Sequence, residues 1–326
     1  MQSLDIVIIG AGPTGLACAI EAQKRGLAYV VLEKGCITNS VFHFPAQMIF
    51  FTTPELLEIG GMPLVCEREK PTRNEALKYY RRVVGAYGLN VHQYEEVLRV
   101  EKAGEGSFIA VTPAGAYDAH TVVIATGYYD NPNFMDIPGE DLPHVSHYYT
   151  EAHPFYNRDV VVIGGKNSAA EAALELFRSG ARVTLIHRGA ELGQNVKYWV
   201  RPDIENRLKK GEIKSYFNAK VTEITPASVN VSQNGSQIEV PAQQVFALTG
   251  YHSSTQFFDQ LGVTYDPATL RPQFDPETLE TNVSGVYLAG SVTGGRQNGD
   301  IFIENGRFHG AVVAGRIGSR SKDARS

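Results

Sequence analysis

Four short runs along the chain are almost wholly apolar, rich in β-branched residues, and followed at once by glycine: residues 4–9 (LDIVII), 121–126 (TVVIAT), 159–163 (DVVVI) and 244–249 (QVFALT). Strands of this length that are apolar on every position, without alternation, predict a parallel sheet covered on both faces. After the first and third runs the period changes. Apolar residues recur at helical spacing to about Arg25, where Gly26 stops the pattern, and through SAAEAALELFRSG, which closes on Gly180. A further apolar strand follows each helix: AYVVLEK reaches Glu33, and ARVTLIH reaches His187. The pattern is strand, glycine loop, helix, strand, written twice, and the fold class it predicts is α/β.

The glycine loops carry the chemistry. Gly10-Ala11-Gly12-Pro13-Thr14-Gly15 is a complete GxGxxG in its strand and helix context. Gly10 makes the tight turn, Gly12 lets a pyrophosphate approach the backbone, Gly15 lets helix and strand pack, and the helix N-terminus faces the phosphates. Glu33 ends the second strand, where a carboxylate accepts from a ribose 2'-hydroxyl and repels a 2'-phosphate. The second loop, Gly164-Gly165-Lys166-Asn167-Ser168-Ala169, has a lysine in place of the middle glycine. The side chain blocks the closest backbone approach, but its ammonium can reach a phosphate as a point charge, a solvent-facing loop lysine being the alternative. His187 stands at the acid's position, with Arg188 beside it, which welcomes a 2'-phosphate. The second nucleotide is therefore expected to be NADPH rather than NADH.

TVVIATGYY and QVFALTGYH are a further internal echo, each a strand running into Thr-Gly-Tyr and each expected to close its own domain. The boundaries that follow are 1–132 and 250–326 for the first nucleotide domain and 133–249 for a second one inserted in it, with GVYLAGSV (285–292) as the last strand of the first. The fold expected is two Rossmann-like dinucleotide-binding domains. At 326 residues, 43% hydrophobic and 20% charged, the chain has material for two cores. A net charge of -5 without a basic stripe argues against nucleic acid as the main partner. The apolar runs are strand-length, so no membrane span is expected, and the first begins too near the start to leave room for a signal peptide; a cytoplasmic location follows. Disorder is expected only after about Arg316. Cys18, Cys36 and Cys66 are too few and too irregular for a disulfide framework or a metal site, and there is no CxxC.

Two such loops, the acid after the first, His-Arg after the second and the paired Thr-Gly closures resemble the two-dinucleotide-binding-domain flavoproteins, and the size resembles their thioredoxin-reductase-like branch. Four stretches are closer to one family: FHFPAQMIFFTTPELLEIGG (42–61), KPTRNEALKYYR (70–81), IGGKNSAAEAALEL (163–176) and IFIENGRFHG (301–310). This set is similar to the bacillithiol disulfide reductase family, NADPH-dependent flavoenzymes that reduce the disulfide of a low-molecular-weight thiol. The resemblance spans Asp5 to about Ala314. It implies FAD in the first domain, NADPH in the second, a homodimer, and a small disulfide as acceptor.

The resemblance places Gly10, Gly12, Pro13, Thr14 and Gly15 around the FAD pyrophosphate, Glu33 and Lys34 at its adenosine ribose, and Ala125, Thr126 and Gly127 along the domain's closure, a simple strand cap being the alternative for Thr126. Gly290 and Ser291 fall at the ribityl chain, where the wider superfamily has Gly-Asp, and a helix from Ile301 would aim its amides at the flavin. On the second nucleotide it implies Gly165, Lys166, Asn167, Ser168 and Ala169 at the pyrophosphate, His187 and Arg188 at the 2'-phosphate, and Arg201 nearby, a surface salt bridge being the alternative for Arg201. His43 and His309 are the candidate proton donors, with a packed structural histidine as the alternative. The aromatic run Phe42, Phe44, Phe50 and Phe51 reads as core or as flavin packing.

The chain departs from its relatives in its thiols. Where a thioredoxin reductase has CxxC, this sequence has Tyr148, Tyr149 and Glu151, so the usual thioredoxin relay is excluded. Family members have been proposed to use a cysteine within the first glycine loop, and here that position is Thr14, which cannot form a mixed disulfide. Electrons must then reach a disulfide directly or through another thiol. Cys18 is expected to be a buried hydrophobe, Cys36, three residues after Glu33, to sit near the adenosine and far from the isoalloxazine, and Cys66 has no motif around it. The rivals are a ferredoxin or flavodoxin–NADP reductase of the same branch, a flavin-dependent monooxygenase suggested by ATGYYDNPN and PGEDLPHVSHYY, and a redox sensor that binds both nucleotides without turnover.

Overall fold

The computed structural model describes residues 3–104, 106–297 and 299–323, and the chain divides into two compact units. One contains the residues up to His43, 47–131 and those from Tyr251 onward; the other contains 44–46 and 132–250.

In the first unit a parallel sheet runs in the order Val91–Gln93, Tyr29–Glu33, Leu4–Ile9, Gly115–Ile124. Gly115–Ile124 has ten residues and two partners along one edge. Its first half pairs antiparallel with Phe108–Thr112, which continues to Arg99–Lys102, and its second half pairs parallel with Val286–Leu288. The parallel strands end at Ile9, Glu33, Ile124 and Leu288, so four C-terminal strand ends share one edge, where ligands bind in open α/β sheets. The central strand is buried on both sides, with Ile6, Val7 and Ile8 no more than 1% exposed, which is why the run shows no alternation.

Local chemistry sets the helices. Pro13 occupies the first turn of Pro13–Lys24, where its missing N–H costs nothing. Arg73–Tyr87 opens on a capping box between Thr72 and Glu75, ends at Gly88 in the left-handed region, and buries Ala76, Tyr79, Tyr80 and Val83. At the C-terminal end two expectations need correction. The helix expected from Ile301 is a four-residue helix, Ile303–Gly306, and a separate one, His309–Asp323. They are parted at Arg307 and Phe308, where the Arg307 guanidinium donates to the Glu55 and Glu58 carbonyls. The chain after Arg316, expected to be disordered, is helical to Asp323, as the final helix packs along Pro13–Lys24.

In the second unit the parallel order is Lys214–Tyr216, Arg182–Ile186, Asp159–Ile163, Gln244–Ala247, Val145–Ser146. A three-stranded antiparallel sheet, Ala219–Ile224, Ser228–Gln233 and Ser236–Pro241, covers one face. Side chains of successive strand residues divide between two cores. Val160 and Val162 pack with Ala169, Ala173 and Leu176 of the helix Asn167–Arg178, while Val161 and Ile163 pack with Val229, Val231 and Val240. Among the described residues no helix is long and apolar enough to cross a membrane.

Candidate functional site

In the first unit the glycine loop is held from both sides. The Ala11 N–H donates to Glu33 Oε2 at 2.8 Å, and the Ala11 carbonyl accepts from the Thr38 N–H at 2.9 Å. Glu33 Oε1 accepts from the Gly35 N–H at 2.8 Å. The carboxylate is thus fixed in orientation with lone pairs to spare, and burial, more than its two N–H donors offset, raises its pKa. Thr38, wholly buried at φ 54°, is a residue that sequence reasoning missed, because a threonine in the left-handed region has no signature. Lys34 pairs with Asp130 at 3.0 Å; Asp130, four residues past Thr126, was missed too, although its charge so soon after the closure was a usable signal.

The first-turn amides of Pro13–Lys24 have no side-chain cap and no acidic residue beside them. The same holds for Asn167–Arg178 behind the second loop. Arg73–Tyr87 in the same chain is fully capped, whereas the N-termini behind both glycine loops carry neither cap nor acid and fit anionic phosphates. A side chain added to Gly12 would meet open space. Around this turn stand the other strand ends. Gly10 approaches the Ala125 carbonyl, Gly127 lies beside Ser291, and the hydroxyl of Thr14 faces Gly290 and Gly306, the latter also touched by Ile301. Thr126 follows Ala125 at the end of its strand, half-buried. One cluster therefore gathers these candidates, and it fits a dinucleotide.

The second loop is built differently. The His187 ring lies over Gly165, within 2.5 Å of where a side chain there would begin, with Phe217 at its edge. Burial, and then Arg188, lower the His187 pKa, so the ring is neutral near pH 7. The chain then folds back on the loop: the Gly193 N–H donates to the Gly165 carbonyl at 2.7 Å, and the Lys197 N–H to Asn167 Oδ1 at 2.8 Å. Arg201 is committed to this return, donating to the Gly193 carbonyl at 2.6 Å and to Glu205 at 2.7 Å. The side chains of Lys166 and Arg188 are exposed and make no hydrogen bond or ion pair among the described residues; Ser168 is exposed as well, and Ala169 is buried at the helix start.

None of the thiols is activated. Burial pushes Cys18 up to about 12, and it is 2% exposed. Burial also raises Cys36, whose thiol donates to Asn39 Oδ1, and Cys66, whose thiol donates to the Arg68 carbonyl. Tyr149, in the stretch where a thioredoxin reductase carries its redox cysteines, packs edge-on against Phe246 in the second unit's core. His43 is exposed, its Nδ1 donating to the Asn39 carbonyl. His309 is half-buried, its Nδ1 accepting from the Gly290 N–H at 3.0 Å, and burial lowers its pKa. Of the aromatic run only Phe50 is core. Phe42 is 49% exposed under the Arg73 guanidinium and Phe51 is 38% exposed against Phe302, so neither is core.

Comparison with known proteins agrees with this geometry. The family model for pyridine nucleotide-disulphide oxidoreductases matches residues 7–290. The chain is 46% identical over 316 residues to Bacilliredoxin reductase Bdr of Bacillus subtilis (strain 168), covering 96% of this chain and 97% of that one. The solved Bacillithiol Disulfide Reductase Bdr from Bacillus cereus superposes with a TM-score of 0.95 at 44% identity, covering 98% of this chain and 100% of that one. The enzyme of the same name from Staphylococcus aureus gives 0.93 at 40%, covering 98% and 99%. The chain belongs to the pyridine nucleotide-disulphide oxidoreductases and, among them, to the bacillithiol disulfide reductase family.

Proposed function

We propose that this flavoprotein oxidoreductase binds FAD at the first loop and NADPH at the second, and reduces bacillithiol disulfide or a related low-molecular-weight disulfide. The observation that carries the cofactor assignment is the contrast at the ends of the two second strands: a buried carboxylate, Glu33, bonded to the first loop, against an exposed Arg188 whose side chain makes no pair among the described residues, next to the neutral His187 at the second. Glu33, Lys34 and the loop Gly10–Gly15 would hold the adenosine and pyrophosphate of FAD, with Ala125, Thr126, Gly127, Gly290, Ser291 and Ile301 along the rest of the molecule. Lys166, Asn167, Ser168 and Ala169 would take the pyrophosphate of NADPH and Arg188 its 2'-phosphate. His187 acts by supporting the loop at Gly165, and Arg201 by fixing the return at Gly193.

When bound, flavin supplies two-electron exchange with nicotinamide. The likeness to two disulfide reductases supports the acceptor. With Thr14 in the first loop and the three thiols held protonated, the acceptor disulfide is reduced without a covalent bond to the protein. The purified protein should release FAD on denaturation, and anaerobic mixing with NADPH should bleach it about tenfold or more faster than with NADH at equal concentration, since charge-assisted bonds to a phosphate contribute about 1.5–3 kcal/mol. Release of FMN would contradict the first assignment; equal rates with the two nucleotides would contradict the second.

A further inference from the structure

His309 occupies a junction that the reading above leaves without a role. Gly290 follows the last strand, Val286–Leu288, at φ 80°, and a side chain there would begin 2.9 Å from Thr14 Oγ1. Gly306 presses on the same hydroxyl and lies 3.5 Å from the Gly290 Cα by the same measure. First loop, strand-end turn and short helix thus meet with no side chain between them, and the hydrogen bond from Gly290 to His309 ties the turn to the final helix.

A backbone N–H can only donate, so His309 Nδ1 carries no proton and the neutral ring holds its hydrogen on Nε2. Protonation would set N–H against N–H and break the tie. Among the described residues no carboxylate acts on the ring, whose pKa is shifted by burial alone. On Pro13–Lys24, Cys18 is protonated and Glu21 is paired with Lys24 and Arg25. On the short helix, Glu304 has Arg307 as its charged neighbour, and Arg307 donates to the Glu55 and Glu58 carbonyls.

We propose that His309 is a positioning residue, a latch that holds the Gly290–Ser291 turn in its flavin-binding form only while its ring is neutral, so that flavin is released on acidification. This rests on the reading of Gly290 and Ser291 as flavin contacts. The sign follows from burial: with the pKa lowered in the fold, the bond is intact above the ordinary histidine range near ~6.5 and is lost as pH falls through the lower folded value.

The test compares wild type, His309→Asn, whose Oδ1 can replace Nδ1 and does not titrate, and His309→Leu. FAD dissociation constants of the flavin-stripped proteins are measured at pH 7.5 and 5.0, alongside their thermal midpoints without flavin. Leaving a buried N–H unpaired costs about 1–3 kcal/mol, which is roughly five- to 150-fold in affinity. Wild type should lose affinity on going from pH 7.5 to 5.0, His309→Leu should be weak at both values, and His309→Asn should recover affinity over His309→Leu with the pH dependence gone. An acid loss of affinity in His309→Asn equal to wild type overturns the latch. So does a ring ¹⁵N signal from the labelled protein showing Nδ1 protonated at pH 7.5. If wild type binds no FAD at either pH, the cofactor reading fails, and the flavin-free midpoints separate that failure from the latch. An acid-dependent drop in wild type that His309→Asn lacks keeps the latch, and identical drops remove it.

Discussion

Gly15→Ala is expected to purify without flavin and to unfold at a lower temperature than wild type. The side chain would run into the Gly10 carbonyl oxygen, with the Ala125 methyl 3.5 Å away. The obstacle is backbone, so no rotamer relieves it; the loop must lift from the helix, and overpacking of this kind costs about 1–3 kcal/mol. The same shift carries the open first-turn amides away from where a pyrophosphate would lie. Gly12→Ala separates the two effects. Gly12 has φ -68° and ψ 172°, open to any residue, and nothing within 4 Å of an added side chain. It should leave the thermal midpoint of the flavin-free protein unchanged, yet hold the phosphates off and lower flavin content. Absorbance of bound flavin per protein, with thermal midpoints of the stripped proteins, checks both; full flavin in Gly15→Ala would refute the assignment of the first loop.

Arg188→Ser should raise KM for NADPH roughly ten- to a hundredfold and leave KM for NADH nearly unchanged. Arg188 is exposed, makes no pair with any described residue and lies beside a neutral His187, so its loss should not disturb the fold. A charge-assisted contact to the 2'-phosphate, a group NADH lacks, contributes about 1.5–3 kcal/mol. Lys166→Met makes a different prediction, because the pyrophosphate is common to both nucleotides: both KM values should rise together. Steady-state kinetics with each nucleotide distinguish the pattern. An Arg188→Ser enzyme that weakens NADH as much as NADPH would show that the arginine serves the loop rather than the phosphate.

The α/β class was legible because parallel strands covered on both faces leave unbroken apolar runs, and because the glycine turns punctuate them. Charges were harder. Arg201 and Arg188 both follow the second loop, and only the fold separates them: Arg201 meets the Gly193 carbonyl because the chain doubles back over Gly165, a long-range closure with no local signal. The His187 ring lies over Gly165, a contact between the strand end and the loop that no local pattern announces. The terminal helix was misjudged from small and polar composition, since its support is tertiary, along Pro13–Lys24. Phe42 and Phe51 look like core by type, yet each is satisfied at the surface, by an arginine and by Phe302.

The central claim is disulfide reduction by a flavoprotein whose own thiols take no part. The direct test is anaerobic NADPH consumption by the flavin-loaded Cys18→Ala/Cys36→Ser/Cys66→Ser enzyme with oxidised bacillithiol, counting the thiols released. The account predicts two thiols per NADPH at close to the wild-type rate, since Cys18 is buried and the other two carry no lowered pKa. Rapid flavin reduction with no thiol release, in the variant or in wild type, would contradict it.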